Sequence, residues 1–108
     1  MATPESKVKA SVNKVLASFG DEVDGFWPVP SGYGESHLDW VGSAGGYFIS
    51  IETKAPGKKP TPRQVERIRR VTKSGGAAFV IDGTDQTTTV DQLRTVLMLM
   101  VKGEWRNV

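Results

Sequence analysis

A chain of 108 residues has room for one hydrophobic core of modest size, so a single domain over residues 1–108 is expected. Its 38% hydrophobic and 8% aromatic content fits a globular protein and argues against disorder, while the absence of cysteine excludes disulfides and thiolate-held zinc. The net charge of +2 conceals an uneven distribution, because the stretch from Glu52 to Lys73 carries +6 and the remainder −4. No apolar run approaches the roughly 20 residues of a membrane span, and the N-terminus Met1-Ala2-Thr3-Pro4-Glu5 lacks the apolar segment of a signal peptide. Neither membrane insertion nor secretion is expected, and a cytoplasmic location is.

The first helix is expected from Pro4 to Phe19. Thr3 can cap it, Pro4 suits its first turn, and Val8, Val12, Val15, Leu16 and Phe19 form an apolar stripe that Gly20 terminates. Glu5 falls on that stripe, three and seven residues before Val8 and Val12, so its carboxylate is expected to point inward. Two roles suit Glu5: favourable charge at the positive helix end, worth about 0.3–1 kcal/mol, or a ligand in a metal site. Val23 to Val29 reads as the first strand, which Pro28 places at an edge or ends early. Pro30 to Ser36 is a loop.

Two further strands form an antiparallel hairpin. Its arms are Leu38-Asp39-Trp40-Val41 and Tyr47-Phe48-Ile49-Ser50-Ile51-Glu52-Thr53-Lys54, joined by the turn Gly42-Ser43-Ala44-Gly45-Gly46. Side chains alternate along a strand, so Glu52 and Lys54 share one side while Ile49 and Ile51 enter the other. The hairpin carries Asp39 towards Glu52. The stretch Ala55-Pro56-Gly57-Lys58-Lys59-Pro60 is too rich in Pro and Gly to continue the strand.

Thr61, Pro62 and Gln64 make a capping box for a second helix that Ser74-Gly75-Gly76 stops. Ile68, Val71 and Val65 are its expected buried side, and Arg63, Arg67 and Arg70 recur at i, i+4 and i+7 on another. Ala77-Ala78-Phe79-Val80-Ile81 fits a central strand, and Asp82-Gly83-Thr84 turns the chain. Thr89 and Gln92 repeat the capping pattern before a last helix with Leu93, Val96, Leu97 and Met100 on one stripe. Met98 and Leu99 lie off that stripe, which is more apolar surface than one core needs and points to a homodimer. The order α-β-β-β-α-β-α predicts an α/β fold, a mixed sheet flanked by helices.

Asp39, Glu52 and Lys54 are the groups with chemistry. Carboxylate oxygens suit a hard ion such as Mg²⁺ or Mn²⁺, which keeps waters for use as nucleophile, and Lys54 can orient that water or steady charge developing on a phosphate. A Glu-x-Lys triplet alone is weak, since both residues are common on solvated strand faces. The basic stretch that follows is what a polyanionic substrate calls for, although a solvated Lys/Arg-rich helix has the same composition.

Read together, four segments resemble a VRR-NUC (virus-type replication–repair nuclease) domain of the PD-(D/E)xK nuclease superfamily. They are Gly34 with Leu38-Asp39-Trp40-Val41-Gly42, Ile51-Glu52-Thr53-Lys54-Ala55, Thr61-Pro62-Arg63-Gln64, and Gly75-Gly76-Ala77-Ala78-Phe79-Val80. They come in the family's order and cover most of the chain from Glu5 to about Gly83. Leu38 departs from the pattern, which usually has proline before the aspartate; that proline shapes backbone and supplies no ligand.

The resemblance implies a restriction-endonuclease-like α-β-β-β-α-β core with a C-terminal helix, and metal-dependent hydrolysis of phosphodiester bonds in DNA. It implies Asp39 and Glu52 as metal ligands and Lys54 as the catalytic lysine. Glu5 matches the first-helix acid of Holliday-junction-cutting members, and Gln64 matches the family glutamine near the site. The Thr53 carbonyl, between the two catalytic side chains, can also reach a metal. Lys58, Lys59, Arg63, Arg67 and Arg70 are the expected phosphate contacts, which position a duplex without reading bases.

Domains this short resemble phage-encoded members that act in the host cytoplasm, some of them as dimers on four-way junctions. The expectation is a structure-selective endonuclease using Mg²⁺ or Mn²⁺, a homodimer on branched DNA such as a Holliday junction. Alternatives are a flap or duplex nuclease of the same superfamily, a restriction-type enzyme for which the chain is short, a non-catalytic DNA-binding module, and an accessory dimer. His37, the one histidine, reads as structural or solvated, and Trp27, Trp40 and Trp105 as packing. Gly32-Tyr33-Gly34 lacks the strand-to-helix setting of a phosphate loop, so no nucleotide cofactor is expected.

Overall fold

The computed structural model describes residues 3–29 and 37–105. The expected loop from Pro30 to Ser36, with its Gly32-Tyr33-Gly34, lies outside the described residues. The elements are α1 (Pro4–Ala17), a 3-10 turn (Gly20–Glu22), β1 (Val23–Phe26), β2 (Trp40–Ala44), β3 (Tyr47–Thr53), α2 (Pro62–Lys73), β4 (Ala77–Ile81) and α3 (Val90–Val101). This is the anticipated order.

One sheet runs β1-β2-β3-β4, antiparallel through the first three strands and parallel between β3 and β4. A parallel neighbour needs a crossover, and α2 supplies it. The crossover helix starts cleanly because Thr61 Oγ1 accepts from Gln64 N (3.2 Å) while Gln64 Oε1 accepts from Thr61 N (2.9 Å). Thr89 and Gln92 repeat this at α3. Thr3 caps α1 through Ser6 N, and α1 ends at Ala17, short of the expected Phe19.

Alternation sorts the sheet into two faces. Trp40, Ala44, Ile49, Ile51, Ala77 and Ile81 face α1 and α3, meeting Val8, Val12, Val15 and Leu16 from one and Leu93, Leu97 and Met100 from the other. The opposite face carries Val41, Phe48, Ser50 and Glu52, with α2 lying over the β4 side. Val71 is buried there, but Val65, expected on the buried side, is 51% exposed. It lies one residue, or about 100°, from Gln64, and Gln64 is the residue that faces the sheet.

The turn between β2 and β3 is shorter than expected. Only Gly45 and Gly46 form it, both at positive φ (57° and 89°), which is what a two-residue hairpin turn demands. Gly42, Ser43 and Ala44 continue the strand opposite Ile49, Phe48 and Tyr47. Gly42 is there because of Trp40, whose buried indole spreads over it and over Gly25, so a Cβ at either glycine would overlap the ring.

Candidate active site

The two-residue turn sets the register that builds the site. It pairs Trp40 with Ile51, so Asp39, the residue just before β2, falls beside Glu52. Asp39 N donates to Glu52 Oε1 (3.2 Å), and Thr53 donates to Asp39 Oδ2 from both its N (3.0 Å) and its Oγ1 (2.7 Å). Lys54 directly follows β3, its N donating to Ile81 O at 3.0 Å, which extends the parallel ladder by one bond. That bond holds Lys54 on the face of Glu52, with Nζ 3.7 Å from Glu52 Oε2. Gln64 Nε2 completes the group by donating to the same Oε2 at 2.9 Å.

Glu52 is only 3% exposed. Burial first, and the Asp39 charge second, push its carboxyl from the ordinary 4.5 to about 7, against the smaller pull of the Lys54 ammonium and the Asp39 N–H. A carboxylate seated in this way, beside another, raises the cost of the fold. Removing such a cost is what a bound cation does. The donor set fits one: two carboxylates of hard oxygens are what Mg²⁺ or Mn²⁺ takes from protein, with waters and phosphate filling the rest. Both hydrogen bonds from Thr53 to Asp39 fall on Oδ2. Thr53 is itself fully buried, and its side chain serves to hold Asp39.

Glu5 does not join this group. It is exposed on the first turn of α1, where it was expected to face inward. The reason is the overhang of that turn: the buried stripe begins at Val8, and Pro4 and Lys7 border an open cavity of about 410 Å³. Among the described residues no three His, Cys, Asp or Glu side chains gather to hold a metal. Among the described residues the acidic groups brought together are Asp39 and Glu52.

Of the basic residues, Lys58, Lys59, Arg63 and Arg70 are exposed and Arg67 is half-buried. Arg67 and Arg70 border a groove of about 560 Å³ on the sheet face that carries Glu52, together with His37, Val41, Phe48 and Ser50. His37 Nδ1 lies 3.0 Å from the Leu38 carbonyl oxygen, in keeping with a structural role. No helix among the described residues is long and apolar enough to cross a membrane.

Asp82, which sequence reasoning placed only in a turn, braces a loop near the site. It is 2% exposed, and its carboxylate accepts from Thr84 N, Thr84 Oγ1, Thr87 Oγ1 and Gly57 N at 2.6–3.1 Å. Burial pushes its carboxyl up, but these four donors outweigh it and hold the group at about 2. Asp82 thereby ties the loop of Lys58 and Lys59 to the end of β4. Asp82 with Thr84 two residues on is a readable local turn; the bond to Gly57 has no signal in one sequence.

No family model and no curated protein matches the chain. A solved structure described as a VRR_NUC domain protein aligns with TM-score 0.58 and 22% identity, over 94% of this chain and 91% of that one. The match spans both chains nearly end to end, and with it the mixed sheet and three helices take their place: this chain has the fold of a VRR_NUC domain protein.

Proposed function

We propose that this chain is a divalent-metal-dependent DNA endonuclease. The observation that carries the reading is the buried Glu52 carboxylate, held beside Asp39 with Lys54 and Gln64 directed at one of its oxygens. A purely structural role would rarely keep two carboxylates together at that electrostatic cost. Asp39 and Glu52 would hold Mg²⁺ or Mn²⁺, with the Thr53 carbonyl as a further oxygen. Such an ion supplies a Lewis acid and a bound water of lowered pKa.

The chain's own groups do the remaining work. Lys54 Nζ, whose ammonium already lies by Glu52, orients the attacking water or neutralises charge on the phosphate oxygens as the P–O bond breaks. Gln64 fixes Glu52 Oε2, and Thr53 fixes Asp39 Oδ2, so neither carboxylate has to reorganise. Lys58, Lys59, Arg63, Arg67 and Arg70 contact phosphates, which favours recognition of DNA shape over base sequence. The substrate is branched DNA, with a four-way junction as the first candidate, and two copies of the chain would nick two strands. Met98, 47% exposed on the outer side of α3, supports the dimer.

The test is cleavage of junction, flap and linear duplex DNA by purified protein with Mg²⁺, Mn²⁺ or EDTA. Cleavage is expected with either metal and not with EDTA. A Glu52→Ala protein as active as the parent removes the proposed chemistry, and metal-independent binding without any cleavage leaves a DNA-binding module.

A further inference from the structure

We infer that the sheet face opposite α1 and α3 is a binding platform for single-stranded nucleic acid, on which the exposed rings of Phe26 and Phe48 stack unpaired bases. The inference rests on the nuclease reading for the identity of the polymer and deepens it by naming a single-stranded arm as part of the substrate. Phe26 is 62% exposed and Phe48 47% exposed, although both lie in strands. The register places them on one face: Phe26 pairs with Val41, Val41 with Ser50, and Ser43 with Phe48. Glu52 is on that face too, two residues beyond Ser50. Helix α2 packs over β4 on this side.

Two large rings exposed on one sheet face offer a contact surface, and the charge around them selects its occupant. Arg67 and Arg70 line a groove together with Phe48 and Ser50. Lys73 continues the cationic border along α2. A polymer with a flat apolar side and a phosphate backbone matches rings flanked by cations. Asp24 shares the row of Ser43 and Phe48 at the sheet edge. It steers the backbone to the α2 side, where the cations stand.

The platform explains a substrate choice that the active site alone does not. A duplex cannot offer bases to Phe26 and Phe48 without unpairing them, whereas a flap or an opened junction arm can. The single strand would run from the rings along the groove to the cleavage point at Asp39 and Glu52.

Binding of a fluorescein-labelled oligothymidylate, followed by anisotropy in EDTA, tests this apart from any cleavage. Phe26→Ala and Phe48→Ala are each expected to weaken binding about fivefold to a hundredfold, with the slope against salt unchanged because phosphate contacts remain. Phe48→Trp should restore affinity. Both rings are exposed, so the variants are expected to melt like the parent. Unaltered affinity in the double alanine variant overturns the platform, as does its conversion from dimer to monomer in sedimentation, which would assign the face to a second copy. If the oligonucleotide binds in this ring-dependent way but no metal supports cleavage, the nuclease reading fails and the platform stands. If junctions are cut while the rings prove irrelevant, the reverse holds.

Discussion

Glu52→Gln separates the electrostatic cost of the site from its chemistry, and its effect can be worked from the structure. The Glu52 carboxyl titrates at about 7 in the fold and at 4.5 ordinarily. Between those values the folded chain keeps a proton that the unfolded chain has released, so stability falls as pH rises through that window. At about 1.36 kcal/mol per unit of pKa, the full loss above pH 7 is roughly 3 kcal/mol. Glutamine cannot ionise and removes the fall. Its NH₂ must, however, face a donor, either Gln64 Nε2 or Asp39 N–H, which forfeits a hydrogen bond worth about 1 kcal/mol. The variant is thus expected to be about 1 kcal/mol less stable than the parent near pH 3, about as stable near pH 5 and about 2 kcal/mol more stable near pH 8. Urea unfolding of both proteins in EDTA across that range measures it. A stability difference that stays constant within about 0.5 kcal/mol from acid to mild base refutes the account of Glu52 as a desolvated, charge-crowded carboxyl.

Four further outcomes follow from the same geometry. Manganese at a hundred times its dissociation constant should stabilise the parent by about 2.7 kcal/mol at pH 8, and Glu52→Gln should lose most of that gain in a thermal melt. Gly42→Ala should destabilise by about 1–3 kcal/mol or more in the same assay, since its Cβ would overlap the Trp40 indole and the Asp24 carbonyl oxygen. Asp82→Ala orphans the Gly57 and Thr84 amides and should cost roughly 2–4 kcal/mol at neutral pH by urea unfolding; in the parent, the Asp82 contribution is present above pH 3.8 and fades as pH falls through about 2. Neutralising Lys58 and Arg63 together should weaken DNA binding equally across sequences and flatten its log–log salt slope by about 2.

The parts of this fold legible in the sequence are those whose cause is local. Thr61 with Gln64, and Thr89 with Gln92, mark helix starts because a capping box is contained in four residues. Asp39 beside Glu52 was legible because a hairpin's register follows from its turn and its apolar alternation. What escaped depends on residues far apart in the chain. Gly42 looked like part of a turn because nothing nearby says that the ring of Trp40 will cover it. Glu5 matched the apolar stripe of α1 by spacing, but spacing does not tell where the sheet beneath a helix ends. Val65 looked buried since hydrophobic periodicity favoured it over a polar neighbour, and the inner position went to Gln64, whose partner lies on another element.

That exchange explains how local folding and chemistry are joined here. The Gln64 amide has two ends with opposite demands: Oε1 accepts from Thr61 N, and Nε2 donates to Glu52 Oε2. Turning the amide over would place its oxygen against a carboxylate and its NH₂ against a backbone N–H, so both bonds would be lost together. The cap of α2 therefore selects the orientation in which the helix presents a donor to the site. An alanine at position 64 removes the side-chain half of the capping box and the donor at once, whereas glutamate keeps an acceptor for Thr61 N but sets a third carboxylate beside Glu52. Gln64→Glu is accordingly expected to retain the helix start yet push the Glu52 carboxyl further up, moving any pH–activity midpoint to higher pH. A profile that superimposes on the parent's would mean that the amide contributes to the helix and nothing to the carboxylate pair.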